Sequence, residues 1–148
     1  MLDRGFSPEC RLKPGAIYRP VVLDGTTAYV AGCVPFDENQ QLTSKGKVIS
    51  QVSMKEAQQA AALCAANILR LLRQELGSLD RIDRILKVVG FVNSDPDFTD
   101  QHLVINGASQ LLVDVLSDAG WHARSAVGMA SLPLGASVEV EAIVRIKP

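Results

Sequence analysis

The sequence predicts an α+β fold, with two helices packed on one face of a mixed sheet. Two observations lead there. Apolar periodicity switches between the strand and helix periods in the order β-β-α-β-α-β-β, with strands both alone and in hairpins. In the last strand Val138, Val140, Ala142, Val144 and Ile146 alternate with Ser137, Glu139, Glu141, Ile143 and Arg145, so one face is apolar and can take the helices.

Composition narrows the class. A chain of 148 residues suggests one domain over residues 1–148. Such a domain buries roughly 68–70% of the surface its unfolded chain exposes. Hydrophobic residues are 47% and aromatics 5%, so Ala, Val, Leu and Ile must build the core and few rings remain to stack on bases. The net charge of −1, with no block of one sign, argues against a nucleic-acid partner. Cys10, Cys33 and Cys64 are odd in number and widely spaced, which suggests neither a disulfide framework nor a zinc site. No apolar run reaches the ~18 residues of a membrane span, and residues 1–6 lack a signal-peptide pattern. A reducing, cytoplasmic setting is expected.

The elements follow in order. Residues 1–16, with Gly5, Pro8, Pro14 and Gly15, read as an irregular lead-in with one short strand near residues 10–13. Asp24-Gly25 between the apolar runs 18–23 and 26–34 signals a hairpin, because both residues tolerate positive φ. Pro35 ends the second strand by removing a donor. Residues 36–50 are polar and read as a surface loop. Ser53 and Glu56 form a capping box that starts a helix running to about Leu76, where Gly77 stops it. Its apolar stripe contains Ala57, Ala61, Cys64, Ala65, Ile68 and Leu72. A strand is expected over residues 85–93, then turn chemistry at Ser94-Asp95-Pro96-Asp97. A second helix should begin near residues 97–99 and end at Gly120. Residues 122–146 read as two strands joined by a loop containing Pro133 and Gly135.

That last stretch gathers the candidate chemistry. A fixed guanidinium at Arg124 could grip a carboxylate by two parallel bonds; the plainer reading pairs it with Asp118 or Glu141. Glu139 and Glu141 share a face about 7 Å apart, from a rise of about 3.4 Å per residue. Either could orient or deprotonate a water; the plainer reading partners them with Arg145. A symmetric hairpin around Pro133-Leu134 would put Arg124 on the face opposite Glu139, so the two meet through a bulge or across a subunit boundary. Asn106, inside an apolar helix, hydrogen-bonds either a ligand or a neighbouring strand. His102 and His122 lack metal-ligand spacing, and Gly32 and Gly46 have ordinary turn explanations. No phosphate-binding loop or dinucleotide fingerprint is present, so no metal or cofactor is expected. The small residues of the stretch after Arg124 permit close approach of another subunit, which predicts an oligomer.

Arg124-Ser125, Leu132-Pro133 and Val138-Glu139-Val140-Glu141-Ala142-Ile143 resemble the RidA/YjgF family, once called L-PSP endoribonuclease or translation initiation inhibitor. The similarity runs from about Tyr18 to Ile146 and includes Ala31-Gly32-Cys33-Val34-Pro35. The segments 89–94, 97–101 and 105–109 are similar to a bacterial-type sub-branch with longer chains. The resemblance implies a chorismate-mutase-like α+β fold and a homotrimer with clefts between subunits. It also implies hydrolysis of 2-imino acids or their enamines to 2-keto acids and ammonia. In that picture Arg124 holds the substrate carboxylate and Glu139 positions the attacking water. The Ala126 backbone, Asn106 and Tyr18 complete the site. The family motif Arg-Ser-Cys-Val-Glu is here Arg124-Ser125-Ala126-Val127-Gly128, without the thiol or its carboxylate. That departure motivates an alternative, a non-catalytic carboxylate-binding or regulatory trimer. A ribonuclease is a third reading.

Overall fold

In the computed structural model, which describes residues 1–148, five strands form one sheet and two long helices cover one of its faces. In chain order these are β1 (Val21–Asp24), β2 (Thr27–Cys33), α1 (Met54–Leu76), β3 (Ile82–Asn93), α2 (Gln101–Leu116), β4 (Ala123–Met129) and β5 (Val138–Ile146). The sheet order is β1-β2-β5-β3-β4. The element order is the expected one, but the strands of residues 122–146 are not a hairpin. β3 lies between them, parallel to β4 and antiparallel to β5. Parallel neighbours need a long crossover, and α2 provides it between β3 and β4.

Local chemistry sets the boundaries. Ser53 Oγ accepts from the Glu56 amide at 3.3 Å, while Glu56 Oε2 accepts from the Ser53 amide at 2.9 Å. Gly77, in the left-handed region at φ 82°, caps the other end of α1. The tight turn after β1 is centred one residue later than expected, on Gly25-Thr26, because Asp24 pairs with Thr27. Two expectations fail. Residues 10–13 form no strand: the Leu12 backbone bonds the Gln74 side chain in both directions instead. Residues 36–50 are not wholly surface, since Val48 is fully buried and bridges Ser94. α2 is shorter than expected, with a separate 3-10 turn at Ser117–Gly120.

The core of 31 buried residues lies between the helices and the sheet. Alanines on α1 (Ala57, Ala60, Ala61, Ala62, Ala65, Ala66) let it lie close to the sheet and to α2. Gly107 permits the crossing of α1 and α2, because a Cβ there would overlap the Gln58 carbonyl oxygen. No helix is long and apolar enough to cross a membrane.

The other sheet face is uncovered. It carries Tyr29, Ile143, Val89, Phe91 and Val127, together with Lys87, Glu139 and Glu141. Tyr29 is 47% exposed and Val127 42%. The lead-in crosses α1 by way of the buried Arg70, which donates to Ser7 O at 2.8 Å and Asn67 Oδ1 at 2.8 Å. Arg73 pairs with Glu9 at 2.7 Å. Residues 13–16 and Tyr18 then line a cavity with Gly32 and Cys33 of β2.

Candidate functional site

The sequence candidates fall into two groups on opposite faces of the sheet. Val88 is buried under the helices and pairs with Arg124 on one side and Ala142 on the other. Phe91, one face over, pairs with Val127 and Glu139. The irregularities in the β3–β5 register lie before Lys87, so no bulge alters this phase between Lys87 and Val92. Arg124 therefore projects on the helix face and Glu139 on the open face.

Arg124 is held by α2. Its Nη1 donates to Asn106 Oδ1 at 3.0 Å and Ser109 Oγ at 3.1 Å, and its Nη2 to His102 O at 3.0 Å. This gives Asn106 a partner on a neighbouring strand. Neither Asp118 nor Glu141 lies within 4.0 Å of the guanidinium, which overturns the plain ion-pair reading. Of five guanidinium donors, the one on Nε and one on Nη2 have no protein partner. Ala126 lies two residues on, opposite Gly90, half-buried against the core.

Glu139 is half-buried and lines the cavity of about 400 Å³ at the β2 end of the sheet, with Tyr18, Cys33, Asn67 and Leu134. Burial raises its carboxyl above the usual carboxylate range, and the Glu141 charge on the same strand raises it further. Arg145 does not partner either glutamate; it pairs with Asp83. The Cys33 thiol is pushed up to about 12 by burial and by Glu139, so it stays protonated and is no nucleophile. A larger hollow of about 730 Å³ against the first half of α1 contains none of the sequence candidates.

Gly32 corrects its turn explanation. It stands in β2 without a positive φ, and a Cβ there would overlap Glu139 Oε1 and stand 2.9 Å from its Cδ. A lone glycine within a strand pattern is the signal that marks such a close approach. Gly128, where the family motif has a carboxylate, faces the Gln101 amide and Ser94 hydroxyl.

Two residues were missed. His122 Nδ1 lies 2.6 Å from Gly120 O and its Nε2 lies 3.0 Å from Ser109 Oγ. Because the carbonyl only accepts, Nδ1 carries the proton, and Nε2 of the neutral ring accepts from the Ser109 hydroxyl. Burial holds the imidazole below its ordinary range; the Arg124 charge adds to this and the Gly120 carbonyl opposes it. His122 stands two residues before Arg124 in sequence, but only the fold brings Ser109 to both.

Comparison with known proteins agrees with this architecture. The family model for Endoribonuclease L-PSP matches residues 9–146. Protein TCP17 of Trypanosoma cruzi is 40% identical over 134 residues, covering 90% of this chain and 83% of that protein. The crystal structure of Atu1372, a protein of unknown function from Agrobacterium tumefaciens, is 48% identical with a TM-score of 0.88. The match covers 91% of this chain and 86% of that one. RidA from an Antarctic Psychrobacter is 25% identical with a TM-score of 0.64, covering 95% of this chain and 98% of that one.

Proposed function

The chain belongs to the endoribonuclease L-PSP (RidA/YjgF) family, and on that premise we propose that it hydrolyses small 2-imino acids to 2-keto acids and ammonia. The working unit is a homotrimer of single-domain subunits, with its sites in the clefts between them. The observation that carries this reading is the Arg124 guanidinium. It is fixed at three points and lacks any carboxylate partner, yet two donors remain, the number a bidentate carboxylate takes.

Arg124 and Glu139 lie on opposite faces of one sheet, so a single subunit does not bring them to one small ligand. The uncovered apolar face, with Tyr29, Val89, Phe91, Val127 and Ile143, supports an assembly in which neighbouring subunits bring the two groups together. In that cleft Arg124 binds the carboxylate of the imino acid. Glu139, in its ionised form, takes a proton from a water as the water oxygen bonds to the C=N carbon, and passes it to the nitrogen to give a carbinolamine. Glu139 then carries the hydroxyl proton of that intermediate to the same nitrogen, the C–N bond breaks, and ammonia leaves as the carbonyl forms. Ala126 supplies no thiol, so the proton relay falls to the carboxylate. Tyr18 lines the same cavity.

The test is to generate 2-iminobutyrate or 2-iminopropionate with an amino-acid dehydratase or oxidase and follow its decay. Acceleration that Arg124→Ala abolishes is expected. No acceleration across several imino acids would overturn the proposal. Ala126 and Gly128 favour a second reading, a carboxylate-binding trimer without turnover; it predicts binding of 2-keto acids with no imine hydrolysis. Balanced charge and few aromatics argue against a ribonuclease.

A further inference from the structure

We propose that Ser109 and His122 are positioning residues that aim Arg124 at the substrate carboxylate; this rests on the assignment of Arg124 as the carboxylate-binding group. An arginine side chain carries about 2 kcal/mol of rotamer entropy when free, so tight binding requires the guanidinium to be oriented beforehand. Asn106 Oδ1 and His102 O supply two of its three anchors, both from the exposed part of α2. Ser109 Oγ supplies the third. A hydroxyl rotates, and what fixes this one is an acceptor for its own proton.

That acceptor is His122 Nε2, on a ring locked at its other nitrogen by the Gly120 carbonyl. The bonds run in one direction: guanidinium to hydroxyl, hydroxyl to imidazole, imidazole to backbone carbonyl. Such aligned chains strengthen each bond in turn. The chain is anchored at the Gly120 carbonyl, at the end of the 3-10 turn and four residues before Arg124. Both Nη1 donors and one Nη2 donor are thereby consumed by α2, and the Nε donor and the other Nη2 donor are left for the ligand.

The experiment compares wild type with Ser109→Ala, His122→Phe and His122→Gln. The readouts are calorimetric binding of 2-ketobutyrate, KM and kcat for imine hydrolysis, and rotation of the Arg124 guanidinium by nitrogen NMR in the ligand-free protein. Ser109→Ala and His122→Phe are expected to raise Kd and KM about tenfold, the effect of loosening one charge-assisted hydrogen bond. They should leave kcat within about twofold and speed guanidinium rotation. His122→Gln, whose amide oxygen can accept from Ser109, is expected to restore slow rotation and most of the affinity.

Binding and rotation unchanged in Ser109→Ala would overturn the proposal, as would His122→Gln behaving like His122→Phe. A loss of kcat equal to the loss in kcat/KM would also overturn it, because that pattern marks a role in the chemistry or general damage. A wild type that binds no keto acid removes both the carboxylate role and the positioning claim built on it. Binding with no turnover removes only the enzyme reading, and Kd and rotation then decide the positioning claim.

Discussion

Arg124 and Glu139 project from opposite faces of the same sheet, on strands separated by β3. Arg124 is accounted for within the subunit by its bonds to α2, whereas Glu139 makes no hydrogen bond or ion pair there and faces the cavity. Their joint use on one small ligand needs a second copy of the chain.

Arg124→Ala should weaken 2-keto acid binding by at least about tenfold to a hundredfold, the value of hydrogen bonds to a charged group. Arg124→Lys should recover little of this, because an ammonium offers no planar pair of donors. Calorimetry with 2-ketobutyrate measures both. Thermal melting should fall only modestly, since the guanidinium closes no ion pair within the chain but its three hydrogen bonds tie β4 to α2.

Glu139→Gln should lower kcat by roughly a hundredfold or more, the usual contribution of a positioned base. Its raised pKa moves the acid limb of the rate profile to higher pH than an ordinary carboxylate would give. Glu141→Gln removes one of the two causes and should move that limb back toward lower pH. The sign for stability is opposite to that of a salt-bridged acid. The folded chain holds the Glu139 proton more tightly than the unfolded chain does, so stability from this group declines as pH rises between the two pKa values. Glu139→Gln should therefore melt at least as high as wild type at pH 7.

Gly32→Ala should behave as a displaced Glu139 rather than as an unfolded protein. The added Cβ meets the end of a flexible side chain, and the backbone there has no positive φ to strain. The expected outcome is a fall in kcat with a melting temperature close to that of wild type. An unchanged kcat in a folded Gly32→Ala variant counts against the Glu139 assignment.

Tyr29→Glu should convert the proposed trimer to single chains that remain folded. Tyr29 is 47% exposed in the isolated subunit and faces Ile143 on the open side of the sheet, so its loss costs the subunit core little. Light scattering reads the mass and circular dichroism the fold. Binding should be lost with the assembly, because the two halves of the site no longer meet.

How far the sequence carried this depended on range. The capping box, the Gly77 stop and the alternation in β5 are local, and each is written in neighbouring residues. The pairing of β4 was misread because a Pro/Gly-containing loop between two strands looks the same whether or not they are partners. The signal that would have corrected it was the helix between β3 and β4, long enough for a parallel crossover. Arg124, Glu139 and Glu141 were candidates by residue type, and the family pattern then singled out Arg124 and Glu139. The link between Ser109 and His122 was not legible, because 13 positions separate them along the chain. Gly32 was legible as a glycine but not as the neighbour of Glu139, which lies over a hundred residues on.

The place of β5 in the sheet also bears on how the site would come apart. β5 is hydrogen-bonded on both sides, to β2 and β3, whereas β4 has a partner only in β3. Amides of β5 should exchange with solvent only through global opening, while those of β4 exchange through local fraying. The strand holding Arg124 would thus loosen under mild denaturant before the strand holding Glu139. Affinity for carboxylates would then disappear ahead of the unfolding transition, while the cavity around Glu139 remained intact.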